Sequence, residues 1–290
     1  MNVTFIIPPS QNNKKIIRNI DCSHESKASY LWQPSDFMNI SSLLQESDNA
    51  ELIDGTVDRL NEHNFLKEVG NTKADIIFFA MSSACWESDL NYFMLSRQIH
   101  KSTSMYVIGD IFLEVIYQER ILKYSEGIVF KPFDLNLNLM VTPDVKELPG
   151  VATYPGQNVL GDSSKPSFYE GLVPRHELFR KKGYVFPFAH KFKFATVTSL
   201  WGCPFTCSYC TDSKIPPMVR NYESVIDELG GLKGQNITEL FFADKTFGYP
   251  KKNSLPLLEE MAKQFNFSWS CYFHPQHYSE ELFDAMIKAG

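Results

Sequence analysis

The chain has 290 residues, with 28 Lys and Arg against 34 Asp and Glu and a formal charge of −6 at neutral pH. So mild an acidic excess excludes both a protein held to nucleic acid by a basic field and a polyanionic tail. With 43% hydrophobic and 21% charged residues, the composition is that of a globular protein long enough for two domains. No apolar run approaches the ~18 residues of a membrane span. The opening MNVTFIIPPS lacks a basic flank, which argues against a signal peptide and for a cytoplasmic protein.

Val3 to Ile7 is a short apolar run closed by Pro8 and Pro9, as in a buried parallel strand. Phe37 to Leu44 repeats apolar residues at helical spacing, Ala50 to Ile53 returns to a strand, and Leu60 to Val69 predicts a helix. Asp75 to Met81 is the clearest strand of this half. A helix over Leu90 to His100 follows, then a strand over Met105 to Ile108 closed by Gly109, a helix over Ile111 to Leu122 and a short strand over Gly127 to Phe130. Five strands with interleaved helices predict a doubly wound, flavodoxin-like parallel sheet over residues 1–130, with any ligand at the carboxyl ends of the strands. Over residues 131–190 Pro and Gly recur and periodicity fades, which predicts a linker or an arm laid over a neighbour.

A second series starts with the strand-like Phe192 to Ser199. Val225, Ile226 and Leu229 share one face of a helix over Tyr222 to Leu232. Ile237 to Ala243, Leu255 to Phe265 and Phe267 to Phe273 read as strand, helix and strand. Ser279 caps a last helix whose apolar face is Leu282, Phe283, Met286 and Ile287. Residues 191–290 thus hold three βα units.

Of the six cysteines, Cys22, Cys85, Cys203, Cys207, Cys210 and Cys271, three fall within eight residues. So low a density in so long a chain argues against a disulfide framework. Cys-x3-Cys-x2-Cys presents three thiolates from one loop. Thiolates are the usual ligands of iron–sulfur clusters, and three of them leave one of four irons open to a small molecule. A structural zinc site asks for a fourth ligand, and none lies nearby in sequence. Strand alternation groups Cys271 with Phe267, Trp269 and Phe273 and sets it opposite His274, so Cys271 reads as a core cysteine.

Gly202-Cys-Pro-Phe-Thr-Cys-Ser-Tyr-Cys210, directly after a strand, resembles the signature loop of the radical S-adenosylmethionine (SAM) enzymes, down to the aromatic Tyr209 before the third cysteine. The resemblance implies that Cys203, Cys207 and Cys210 hold a [4Fe–4S] cluster whose open iron chelates the amino and carboxylate groups of SAM. One electron, from a donor such as flavodoxin or ferredoxin, would then cleave SAM to methionine and a 5′-deoxyadenosyl radical. Tyr209 would lie near the adenine. The whole chain resembles the subclass with an amino-terminal cobalamin-binding-like domain. The residues that carry this are Trp32-Gln-Pro34, the strand Asp75 to Met81, the strand ending at Gly109, and Leu240-Phe-Phe-Ala-Asp244-Lys-Thr-Phe247. In that subclass the last segment meets the SAM amino group, which makes Asp244 a SAM or substrate contact. Taken alone, Asp244 reads as a solvated acid after a strand. The reaction implied is methylation, cyclisation or rearrangement of an unactivated carbon in a small-molecule substrate.

The chain also departs from that pattern. Cobalamin proteins with a lower His ligand carry Asp-x-His-x-x-Gly, whereas this chain has Asp21-Cys-Ser-His24. The resemblance therefore leaves room only for cobalamin bound without a lower His ligand. Asp110 follows Gly109 where the subclass has a second glycine, and such a loop fits a corrin less closely. Ser82 and Ser83 either face the cofactor's nucleotide tail or close their strand. Tyr272 and His274 either look into the barrel, or His274-Pro275 ends the strand. These enzymes usually have six βα units; at about 31 residues each there is room here for three, the first half of a (β/α)6 partial barrel. A fragment of a longer protein, or a barrel completed by a partner, is the expectation. The alternative to an enzyme is a catalytically incomplete cluster- or cobalamin-binding module acting through a partner. A zinc-stabilised α/β interaction protein is the third reading.

Overall fold

The computed structural model describes all residues except 21, 28–29, 143–144, 146, 162–165, 182 and 192, with the backbone alone at residue 22. Asp21 and Phe192, on which two of the readings above rest in part, lie outside the described residues. Two compact units emerge, one of Met1–Leu160 with Arg175–Val185, the other of Gly161–Pro174 with Phe186–Gly290. The Pro- and Gly-rich stretch 131–190 is thus divided between them. No helix among the described residues is long and apolar enough to cross a membrane.

The first unit begins with β1 (Asn2–Ile7), a hairpin of β2 (Ile16–Asn19) and β3 (Cys22–Glu25), α1 (Ser35–Ser41) and β4 (Asn49–Asp54). It continues with α2 (Glu62–Asn71), β5 (Ile76–Ala80), α3 (Trp86–Ile99) and β6 (Ser104–Ile108). It ends with α4 (Val115–Ile121), β7 (Gly127–Val129), α5 (Leu137–Met140) and β8 (Val151–Ala152). The sheet order is β4-β1-β5-β6-β7-β8. Its first five strands are parallel and β8 is antiparallel to β7. The parallel strands therefore run 2-1-3-4-5 in chain order, the doubly wound flavodoxin-like arrangement, with the reversal between β1 and β5.

Every residue of β5 is buried, as expected of a central strand covered on both faces. Alternation sends Phe78 to one face, within 5.8 Å of Phe5 and 6.1 Å of Tyr106 by ring centroids. Phe79 goes to the other face, edge-on to Phe93 of α3 at 5.4 Å. Burying each such ring contributes about 1.5–3 kcal/mol over leaving it in water. The helix expected over Ile111–Leu122 is shortened, because Glu114 adopts an extended conformation between a turn at Asp110–Leu113 and α4.

The second unit carries β9 (Ser167–Tyr169), β10 (Ala195–Val197), β11 (Leu200–Trp201), β12 (Met218–Arg220), α6 (Tyr222–Gly234) and β13 (Glu239–Phe242). It closes with α7 (Lys251–Gln264), β14 (Ser268–Cys271) and α8 (Glu280–Ala289). β10, β13 and β14 form a parallel sheet, and the three helices supply a core with Val225, Leu229, Leu258, Met261 and Leu282. Ser279 caps α8 by accepting from the Leu282 amide at 3.3 Å. A second small sheet has the order β11-β12-β9, β11 antiparallel and β9 parallel to β12.

Candidate functional site

The cysteine loop, residues 202–217, is the connection of the β11–β12 hairpin, since Leu200 pairs with Val219 and Trp201 with Met218. The Cys203 amide extends the ladder to the Ile215 carbonyl at 3.1 Å. Gly202 makes the entry possible. Its φ is +77°, and a Cβ there would lie 2.3 Å from the Pro216 carbonyl oxygen. Inside the loop the Cys210 amide bonds to the Cys207 carbonyl at 3.1 Å, and Ser213 Oγ donates to the Cys210 carbonyl at 2.6 Å. Cys203, Cys207 and Cys210 are free and partly exposed, and Tyr209 is 91% exposed. Burial pushes the Cys203 and Cys210 thiols up; at Cys210 the Asp212 carboxylate adds to this, 3.7 Å from the sulfur.

Asp244 stands two residues past β13 and is fully buried. Its carboxylate accepts from the Ser199 amide at 2.8 Å, the Leu200 amide at 3.0 Å and the Ser199 hydroxyl. It is no solvated loop acid. These bonds fix the bend where the chain leaves β10 for β11, so the cysteine loop hangs from the parallel sheet through a charge-assisted anchor.

A second anchor is Arg220, the last residue of β12, buried with Glu228 of α6 and ion-paired to it. It also donates to the Ser224 hydroxyl at 2.9 Å and to the Leu172 carbonyl at 3.1 Å. The sequence singles out Asp244 but shows neither its anchoring role nor that of Arg220. Asp244 follows β13 and lies 45 positions from Ser199, and Arg220 ends β12 and lies 8 from Glu228, so no local pattern marks either anchor.

His274 stacks on Phe205 of the cysteine loop, ring centroids 3.9 Å apart and planes 24° apart. Its amide donates to Thr246 Oγ1 at 3.1 Å, and its Nδ1 accepts from the Gln276 amide at 3.3 Å. With Nδ1 an acceptor, a neutral ring carries its proton on Nε2. Tyr272 instead meets Phe241 edge-on at 5.5 Å. Cys271 packs against the apolar core, and burial pushes its thiol up to about 12. The loop, Asp244, Thr246 and His274 thus gather at the carboxyl end of the parallel sheet, where βα proteins place their chemistry.

Among the described residues no three His, Cys, Asp or Glu side chains converge on a point that would hold one metal ion. Ligands of an iron–sulfur cubane bind different irons and do not converge in that way. Three free thiols on one anchored loop are a donor set that fits such a cluster.

At the carboxyl ends of the first unit's strands the side chains bond to one another. Arg18 of β2 lies fully buried against Asp89 of α3, with Nε and Nη2 each 3.0 Å from a carboxylate oxygen. It also reaches Thr56 Oγ1 at 2.9 Å, Ser10 Oγ at 3.2 Å and Cys85 Sγ at 3.3 Å. Ser82 is buried and bonds to Ser23 of β3 at 2.6 Å. The Ser83 amide donates to Asp110 at 2.9 Å, and its hydroxyl bonds to the same carboxylate. His24 lies near the Tyr30 hydroxyl, 3.1 Å away.

These features define an α/β protein with a doubly wound parallel sheet and a separate βα unit bearing a three-thiol loop at its carboxyl end. No known family's profile matches the chain. It is 20% identical over 306 residues to the uncharacterized methyltransferase PH0819 of Pyrococcus horikoshii, an alignment covering 100% of this chain and 63% of that protein. Its fold is similar to that of the radical S-adenosylmethionine methyltransferase TsrM from Kitasatospora setae, solved with cobalamin and a [4Fe–4S] cluster bound. The TM-score is 0.67 at 15% identity, over 100% of this chain and 57% of the other. The chain therefore spans less than two thirds of the length of either.

Proposed function

We propose that the second unit holds a [4Fe–4S] cluster on Cys203, Cys207 and Cys210 and acts on SAM in a reaction related to methyl transfer. The observation that carries this is the loop itself: three free thiols, hung from the carboxyl end of a parallel sheet by Asp244 and closed by the Gly202 turn. The similarity to two methyltransferases supports the reaction class. Held by Cys203, Cys207 and Cys210, such a cluster would supply one-electron reduction of SAM to methionine and a carbon radical, the chemistry that methylation, cyclisation or rearrangement of the substrate would use.

The chain's own residues have separate tasks in this reading. The three thiolates leave the fourth iron open for SAM. Tyr209, exposed beside Cys210, offers its ring to the adenine. Asp244 is a positioning residue, fixing the bend that carries the loop. His274, stacked on Phe205, presents a hydrogen-bond donor beside it. An alternative is a cluster-binding module that needs a partner for turnover. It is favoured by β14, a sheet edge whose residues are all at least partly exposed.

Anaerobic reconstitution tests the main reading. About four irons and four sulfides per chain, with an EPR signal altered by SAM, are expected. One zinc per chain and no cluster would overturn it. Cluster formation without 5′-deoxyadenosine under strong reductant would favour the module.

A further inference from the structure

In a doubly wound sheet the ligand crevice lies outside the carboxyl ends of the strands, where the strand order reverses. Here that is the crevice beyond β1 and β5, and the β2–β3 hairpin is bonded to the residues that follow those strands, Arg18 to Ser10 and Cys85 and Ser23 to Ser82. We propose that this hairpin is a built-in plug and that the first unit takes no cobalamin at its strand ends.

Residues beyond four strand ends contribute to the closure. Arg18 of the hairpin bonds to Ser10 beyond β1, to Thr56 beyond β4 and to Cys85 beyond β5, and its charge is matched by the buried Asp89. Ser23 on the second hairpin strand holds the Ser82 hydroxyl. The Asp110 side chain, in place of a second glycine, takes both donors of Ser83. Gly109 is pressed against the Met81 carbonyl, 2.0 Å from where a Cβ would sit. The groups that would greet a corrin or its nucleotide tail are therefore already paired. A corrinoid could enter only by lifting the hairpin and leaving Arg18 or Asp89 as an uncompensated buried charge. The opening beside the hairpin, lined by Lys14, Glu25, Ser83 and Trp86, is about 420 Å³. That is the size of a site for a drug-like molecule, and a corrinoid with its nucleotide is larger.

The inference rests on the first unit alone and stands apart from the cluster reading. The test is equilibrium dialysis of the full chain, reconstituted anaerobically, against hydroxocobalamin and separately methylcobalamin, followed by gel filtration and corrin absorbance. Hydrogen exchange of the β2 and β3 amides is followed in the same samples. No retained corrinoid and unchanged amide protection are expected. One corrinoid per chain, or loss of hairpin protection on adding it, would overturn the plug. Iron and sulfide assays on the same protein report separately on the cluster, so failure of one reading is distinguishable from failure of the other.

Discussion

Gly202 and Asp244 act on the same loop from opposite ends of its chemistry, one by lacking a side chain and one by burying a charge. Gly202→Ala places a methyl group inside the Pro216 carbonyl and strains a φ of +77°. A cost of about 1–3 kcal/mol is expected, read as a lower melting temperature and reduced iron retention. Asp244→Ala leaves the Ser199 and Leu200 amides buried without an acceptor, at about 1–3 kcal/mol for each. A positioning role predicts a broadened cluster EPR signal without added SAM, partly restored in Asp244→Asn. An unchanged cluster signal with weakened SAM binding would make Asp244 a SAM contact instead. Cys85 carries a pH prediction. Burial, partly opposed by Arg18, holds its thiol up at about 11 against an ordinary value of 9.0. The folded-state value is raised, so this group's share of stability is complete below the ordinary value and is lost as pH rises toward 11. Iodoacetamide should therefore label Cys85 slowly at pH 8 and increasingly above pH 10, whereas in the unfolded chain labelling rises about two units earlier. Gly202 and the thiols were legible in the sequence because their spacing is local. The partner of Asp244 was not, because Ser199 lies 45 positions away and only the fold brings them together.

Among the elements, the sequence hid the β2–β3 hairpin, as it hid the short strands β8, β9, β11 and β12. The hairpin's strands have four residues each, and β2 buries Arg18 and Asn19 beside Ile16 and Ile17, so no apolar alternation marks it. The pairing of Arg18 with Asp89 depends on α3, 71 positions on, and so left no trace in local pattern. Arg18→Met should destabilise the unit by about 3–5 kcal/mol by leaving Asp89 unpaired, whereas Arg18→Met combined with Asp89→Leu should recover most of that loss in chemical denaturation. The main strands were legible for the opposite reason. Ile76–Ala80 is apolar throughout because both of its faces are covered.

For the whole molecule, the order of the first sheet followed from the βα rhythm, while the partition of residues 161–190 between units did not. Weak periodicity says that a stretch is irregular and gives no sign of which neighbour it joins. SAM added to the reconstituted chain should protect amides of the cysteine loop, Thr246 and His274 from hydrogen exchange and leave the strand ends of the first unit unchanged. Protection at Ser82–Cys85 would place SAM elsewhere. The small sheet β11-β12-β9 also bears on how the chain is made. β9 leaves the ribosome before the cysteines and waits for them, but Asp244 emerges 34 residues after Cys210. At roughly 5–20 residues per second, Cys210 is outside the ribosome for about two to seven seconds before the anchoring carboxylate follows it out. In that interval the thiols are most open to oxidation, so the oxygen tension during translation, as well as during purification, should govern how much of the chain can accept iron.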